Sequence, residues 1–396
     1  MEQPGAAPGC LKRLRRVSDP APVSGHCDPS FRTVGEAFAE NFAERGELGA
    51  GVCVIVGGEV VVDLAGGWAD EARTVPYRGD TLTDFYSVGK GLLATLLLRH
   101  VDVGRIGLDD RIADVWPEFA RRGKETATIR HVLTHRAAVP AIRRPLTDDD
   151  LFDWPTMTAA LAGTGAWYPP GERITYHTNT YGHLVGELVH RLGGTMPGDA
   201  LREQAAPLGA DVWFGVPEAE QHRCADIAWD PSWTAPAFDV DQLSGDLLLN
   251  ALSHFNPPGY SSIGLVNTPQ WRASQIGSTA GHGTAAGIAR WYQGLLDGRL
   301  LSDDLLAEAA RVQVTGDCPV LGEGVSYGLG FTPTTPRRPL GPNPGAFGHF
   351  GSGGALGFAD PIGEVAFGYV MNQVIPRWQS TRNRALIDAV YASPAT

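Results

Sequence analysis

The stretch Thr83-Asp84-Phe85-Tyr86-Ser87-Val88-Gly89-Lys90, running on into Gly91-Leu92-Leu93-Ala94-Thr95-Leu96-Leu97-Leu98, decides how this chain reads. Leu92, Leu93, Leu96 and Leu97 recur at helical spacing in a run that is apolar on most sides, which predicts a helix buried in a core. The run is far short of the ~20 apolar residues that a membrane span requires. Ser87 and Lys90 stand three apart, so a helix places both side chains on one face, one turn apart. A serine hydroxyl is a weak nucleophile at its own pKa, and a desolvated lysine can take its proton or hold the base that does. Ser87 also falls where the helix should begin, where free N–H groups and the positive dipole end favour an anionic intermediate.

The competing reading makes Ser87 a helix cap and Lys90 a solvated surface residue. Composition weighs against it. The 32 basic residues include only three lysines, Lys12, Lys90 and Lys124, and the chain has 16 serines. Chance pairing would supply only ~0.1 S-x-x-K matches, although a lone motif remains a hypothesis.

Outward from that stretch the chain is a soluble, loop-rich globular protein. Its 396 residues are 43% hydrophobic and 19% charged, with 50 glycines and 29 prolines, enough length for one large composite domain or two. A net charge of −12 argues against a partner whose binding rests on phosphate neutralisation, and equally against anionic membrane surfaces. Cys10, Cys27, Cys53, Cys224 and Cys318 are odd in number and show no C-x-x-C, so they read as free thiols in a reducing compartment. No apolar segment follows the basic run Lys12 to Arg16, which removes a signal peptide and predicts a cytoplasmic protein.

Residues 1–29 read as a poorly ordered or surface-draped leader, with order beginning near Phe31. An amphipathic helix follows to about Gly46, then a hairpin of Gly51–Val56 and Val60–Leu64 about Gly57-Gly58-Glu59. Residues 110–250 lack convincing paired strands and alternate helical patterns with Pro/Gly connectors. Past about 285 come a helix at Ala285–Leu296, short strands at Tyr327–Phe331, Ala346–Phe350, Ala355–Asp360 and Glu364–Val370, and a helix near Ser380–Tyr391. The expected architecture is α+β: an α/β sandwich with an antiparallel sheet, built from residues 30–110 and 275–396, carrying residues 111–274 as an all-helical insertion.

Two further elements carry polar chemistry. Tyr176, in Thr175-Tyr176-His177-Thr178 ahead of a helical pattern, could shuttle protons if a nearby ammonium lowered its pKa; alone it reads as a packed ring with a wet hydroxyl. Phe347-Gly348-His349-Phe350-Gly351-Ser352 lies between two strand signals, where glycines allow close backbone approach and main-chain N–H groups could face an oxyanion. By itself it reads as a glycine-rich turn. His131 and His135 are spaced i, i+4, but Val132 stands where a zincin helix carries glutamate and no third ligand is evident, so no metal is expected. There is no G-x-S-x-G elbow, phosphate-binding loop or dinucleotide fingerprint, and no cofactor is expected.

In this order and spacing, the three elements resemble the serine β-lactamase and penicillin-binding-protein superfamily, closest to the class C β-lactamase-like (family VIII) carboxylesterases. Trp116-Pro117-Glu118-Phe119, Leu133-Thr134-His135-Arg136, Gly281-His282-Gly283-Thr284 and Phe358-Ala359-Asp360-Pro361 extend the likeness across nearly the whole chain from Phe31. The resemblance implies a β-lactamase/transpeptidase-like fold. It also implies Ser87 as acylated nucleophile, Lys90 as its activating partner and Tyr176 as the tyrosine of Y-x-N. His349-Phe350-Gly351 would stand in place of K-T-G, and the N–H groups of Ser87 and Ser352 would form the oxyanion hole. Thr178 replaces the Y-x-N asparagine and His349 the K-T-G lysine, changes that recur among the esterases. The function implied is a serine hydrolase acting on a small ester or activated acyl donor. An acyltransferase passing the acyl group to an amine or alcohol is the alternative; a β-lactamase, a D-Ala-D-Ala peptidase or a silent binding protein stands behind both. The loops at Trp167-Tyr168 and Trp233 are expected to shape the pocket.

Overall fold

The computed structural model describes residues 22–229, 238–375 and 379–394. Seven strands form the main antiparallel sheet: β1 (Val23–Cys27), β2 (Gly49–Val56), β3 (Glu59–Gly67), β4 (Thr332–Pro333), β5 (Phe347–Phe350), β6 (Leu356–Asp360) and β7 (Val365–Met371). Their order is β1-β3-β2-β7-β6-β5-β4, so β2 pairs with β7 across the length of the chain, Val52 opposite Tyr369. The β2–β3 turn is Gly57-Gly58, both at positive φ (56° and 84°), the geometry that matches the twist of a two-residue hairpin.

Side chains alternate across a strand, and the two faces of β2 and β3 show what each covers. A Cβ on Gly51 would meet Ala285, at the start of a helix spanning Ala285–Leu296. On the opposite face, Gly66 and Leu64 lie against Phe38 and Gly35 of α1 (Arg32–Glu44). α1 in turn packs on a C-terminal helix, Thr381–Tyr391, whose Ser380 caps it by accepting from Asn383 N–H. The sheet is therefore sandwiched between helices. A buried ion pair, Arg382 Nη1 to Glu47 Oε1 at 3.1 Å, lies in this layer, and Glu47 also accepts the Tyr369 hydroxyl.

The decisive stretch forms α2 (Gly89–Asp102), entered through a tight 3-10 turn at Tyr86–Val88. Every residue from Gly89 to Leu98 is buried, as its apolar run predicts, and α2 packs along the helices Thr180–Gly193 and Pro197–Ala205. The main sheet draws on residues 23–67 and 332–371, whereas residues 112–273 hold mainly helices.

Three details depart from the sequence reading. Order begins before Phe31: Val23–Cys27, assigned to the leader, pairs with β3, His26 opposite Asp63. Residues 23–26 of this edge strand are exposed, so no apolar alternation marks it; residues 1–21 lie outside the described part. The strand expected at Tyr327–Phe331 is instead Glu323–Tyr327, after which Gly328–Phe331 bends and Gly330, at φ 81°, donates to Leu133 O. The helical region also contains strands. Val212–Phe214 pairs with Gly281–Gly283, which pairs with Thr83–Asp84, and Ala228–Trp229 runs parallel to Gln373–Val374. Pieces of two or three residues carry no readable period.

Candidate active site

The Ser87 turn is held in a strained conformation by named partners. Tyr86 adopts φ 49°, which a bulky residue occupies only when its surroundings impose it. Asp84 imposes it here: one carboxylate oxygen accepts Tyr86 N–H at 2.8 Å and the other accepts Trp271 Nε1 at 2.8 Å. Burial pushes the Asp84 carboxyl up to about 8, against the two N–H donors that favour its charge. Gly89 fits because a Cβ there would come within 2.2 Å of Gly277 O. That close approach brings the neighbouring Ser278 carbonyl against Lys90.

Lys90 Nζ is 2.8 Å from Ser87 Oγ, 2.7 Å from Thr178 O and 3.0 Å from Ser278 O. The lysine is fully buried, and among the described residues it has no carboxylate partner. Burial drives its pKa well below 10.5. A neutral amine has two N–H bonds and one lone pair, which fits two carbonyl acceptors and one hydroxyl donor. In that state the lone pair would accept Ser87 O–H, whereas an ammonium donates its third N–H to Ser87 Oγ; the hydroxyl's other acceptor, Ser278 O, is 3.4 Å away. Lys124 makes the contrast: its ammonium meets three carbonyls, of Arg121, Ala162 and Thr164, and no hydroxyl.

Tyr176 belongs to a segment clamped from both sides. Its N–H donates to Cys318 Sγ at 3.2 Å, Thr175 N–H to His135 O, and His177 N–H to His135 Nδ1 at 3.1 Å. The His135 ring also packs on the Tyr176 ring, centroids 4.7 Å apart. Lys90 Nζ lies 4.8 Å from the centroid of the Tyr176 ring, and the nearby Ser87 side chain favours the charged form of the phenol. The sequence reading asked for a lowered phenol pKa. Burial instead raises it, so Tyr176 is a neutral phenol. A phenol in that state can still relay a proton by donating one and accepting another.

Ser87, Tyr176, Thr178 and Ser352 line one cavity of about 630 Å³, with Trp229, Phe255 and Ile263 among its apolar walls. Thr178 offers its carbonyl to Lys90 while its hydroxyl has no partner among the described residues. Neither the Ser87 nor the Ser352 N–H donates within the described residues, which leaves both open to an oxyanion. Gly351 is not on the cavity wall; it lets the end of β5 close on the Ser87 turn, since a Cβ would sit 2.4 Å from Phe85 O. His349 is also off the wall, stacked behind Tyr176 with centroids 6.4 Å apart. Its Nδ1 faces Phe350 O at 2.8 Å. Burial, with Lys90 and Arg338 nearby, lowers its pKa to about 3, so it places no cation where K-T-G has lysine.

The indole in the cavity is Trp229. Trp167, expected there, instead covers the Arg143 guanidinium at 3.5 Å, and Trp233 lies outside the described residues. Asp84, His135 and Ser278 were not assigned from sequence. Ser278 acts through its carbonyl, which leaves no signature, and His135 reads from sequence as a structural histidine rather than a metal ligand, with nothing to tie it to Tyr176. Among the described residues no cluster of His, Cys, Asp or Glu could hold a metal ion, and no helix is long and apolar enough to cross a membrane.

Comparison with known proteins places the chain in a family. The family model described as Beta-lactamase matches residues 35–392. The esterase/beta-lactamase LipL of Mycobacterium tuberculosis is 32% identical over 374 residues, covering 89% of this chain and 83% of LipL. The crystal structure of a family VIII carboxylesterase superposes with a TM-score of 0.86 at 34% identity, covering 94% of this chain and 100% of that one. A penicillin-binding-protein homologue from Caulobacter crescentus gives 0.84 at 38%, with the same coverages. With its α+β fold of β-lactamase/transpeptidase type, the chain belongs to the β-lactamase family, as a serine hydrolase of its esterase/β-lactamase kind.

Proposed function

We propose that the protein is a carboxylesterase working through an acyl-serine intermediate. Ser87 Oγ attacks the ester carbonyl while Lys90 Nζ takes the hydroxyl proton, and the Ser87 and Ser352 N–H groups receive the developing oxyanion. Collapse breaks the ester C–O bond, and the proton held on Lys90 passes through the Tyr176 hydroxyl to the departing alkoxide. Water then attacks the acyl-enzyme, its proton returning by the same relay, and the acid leaves with Ser87 restored. The observation that carries this reading is the Lys90 amine, buried without a carboxylate and within 2.8 Å of Ser87 Oγ. The family VIII carboxylesterase and LipL likenesses support an ester as substrate.

Intact-mass trapping with short-chain 4-nitrophenyl esters tests it. A single acyl adduct on Ser87, absent from Ser87→Ala, is the expected result; full turnover by Ser87→Ala, or no adduct, overturns it. Product analysis with added amines and alcohols then reports whether water is the acceptor.

A further inference from the structure

Only three formally charged side chains line the cavity among the described residues, and they form one group. Glu323 accepts from both Arg337, at 2.6 Å, and Arg338. One carboxylate shared by two guanidiniums leaves a net charge of +1, in a chain whose overall charge is −12. Among the described residues no other cavity group offsets it: burial holds His254 down in its neutral form, and the remaining lining is hydroxyl, amide or apolar. The charge acts on the reacting end of the cavity as well, since Arg338 contributes to the electrostatics of both Tyr176 and His349. Arg337 keeps its side chain 65% exposed, with donors left over after its contact with Glu323.

Resting on the esterase reading above, we propose that the Arg337–Arg338–Glu323 group is an anion subsite that selects esters bearing a carboxylate at a distance from the scissile bond. A guanidinium fork matches a carboxylate in shape and charge, and the apolar stretch at Trp229, Phe255 and Ile263 suits the methylenes between the two ends. His349 supplies no such charge, being neutral and off the wall. The cation that the family's K-T-G lysine would provide on β5 is then supplied from the connection between β4 and β5, which carries Arg337 and Arg338.

The test compares kcat/KM for mono-4-nitrophenyl adipate with that for 4-nitrophenyl hexanoate, which has the same carbon count and no charge, and repeats it with suberate against octanoate. Wild type should favour the charged ester about five- to tenfold at low salt, a ratio that shrinks as salt rises. Arg337→Gln and Arg338→Gln, which bring the group to zero, should lower the ratio, and Glu323→Gln, which brings it to +2, should raise it. Arg337 is exposed enough that its variant reports even if a buried partner's variant fails to fold. A ratio that is equal in wild type, Arg337→Gln and Glu323→Gln overturns the subsite. Absence of Ser87-dependent turnover of both esters overturns the esterase reading instead.

Discussion

Replacing Lys90 with methionine should make the stability of the protein respond to pH in a way that reports the charge of the buried amine. In the unfolded chain a lysine titrates near 10.5, whereas burial holds Lys90 in the folded protein well below that value. Between those two pKa values the folded protein is neutral at Lys90 and the unfolded chain carries the proton. The unfolded state then binds one more proton, so wild-type stability rises with pH, and it falls as pH drops through the folded pKa. The slope is 2.303RT, about 1.4 kcal/mol per pH unit for this one group. Lys90→Met lacks the group, and titrations common to both proteins cancel in the difference. Its loss of donors to Thr178 O and Ser278 O adds an offset that does not vary with pH. Denaturant melts of both proteins, over the pH interval leading up to 10.5, should show wild type gaining on the variant at about that slope. The variant should also lose ~10²–10⁴ in acylation rate, as removal of a general base does. A stability difference that stays flat across the range would mean that Lys90 is equally charged in both states. It would refute the neutral-amine account, whatever the activity loss.

Three further outcomes follow from the same geometry. Tyr176→Phe keeps the ring that packs on His135 and removes the relay, so kcat should fall ~10²-fold with stability within about 1 kcal/mol of wild type; a normal kcat in stopped-flow assays would refute the relay. Asp84→Asn turns an N–H donor towards Tyr86 N–H or Trp271 Nε1, and should cost about 1–3 kcal/mol and loosen the Ser87 turn, read as a lower acylation rate. Because the Asp84 carboxyl is raised from 3.8 to about 8, wild type holds there a proton that the unfolded chain sheds, and its margin over Asp84→Asn should shrink as pH rises through that interval; a widening margin would refute the assignment. Gly351→Ala forces a Cβ towards Phe85 O, and should cost about 1–3 kcal/mol and slow acylation together; melts and burst kinetics that both match wild type would count against that packing.

Much of this was legible before any coordinates, for physical reasons that differ by element. The apolar run behind Ser87 announced α2 because a helix buried all round has to be apolar all round, and the Gly57-Gly58 turn announced the hairpin because few residues adopt its positive φ. The Ser87–Lys90 pair was legible because helical geometry turns a spacing of three into contact. Tyr176 needed the family resemblance, since the groups that clamp it, His135 and Cys318, are far from it in sequence. The edge strand Val23–Cys27 was missed because its residues face water, and Trp229 was not singled out for the cavity because loop sequence does not say which ring turns inward. The direction of the Tyr176 shift was not legible because it depends on burial, which a loop assignment does not report.

The two described lysines, Lys90 and Lys124, are both fully buried. The cationic side chains exposed on the described surface are therefore guanidiniums, with the occasional imidazole. Amines are acylated spontaneously by activated esters, while a guanidinium stays protonated and inert. On the described surface an activated ester would therefore meet no lysine amine. Amine-directed labels and cross-linkers would find no lysine target on that surface either.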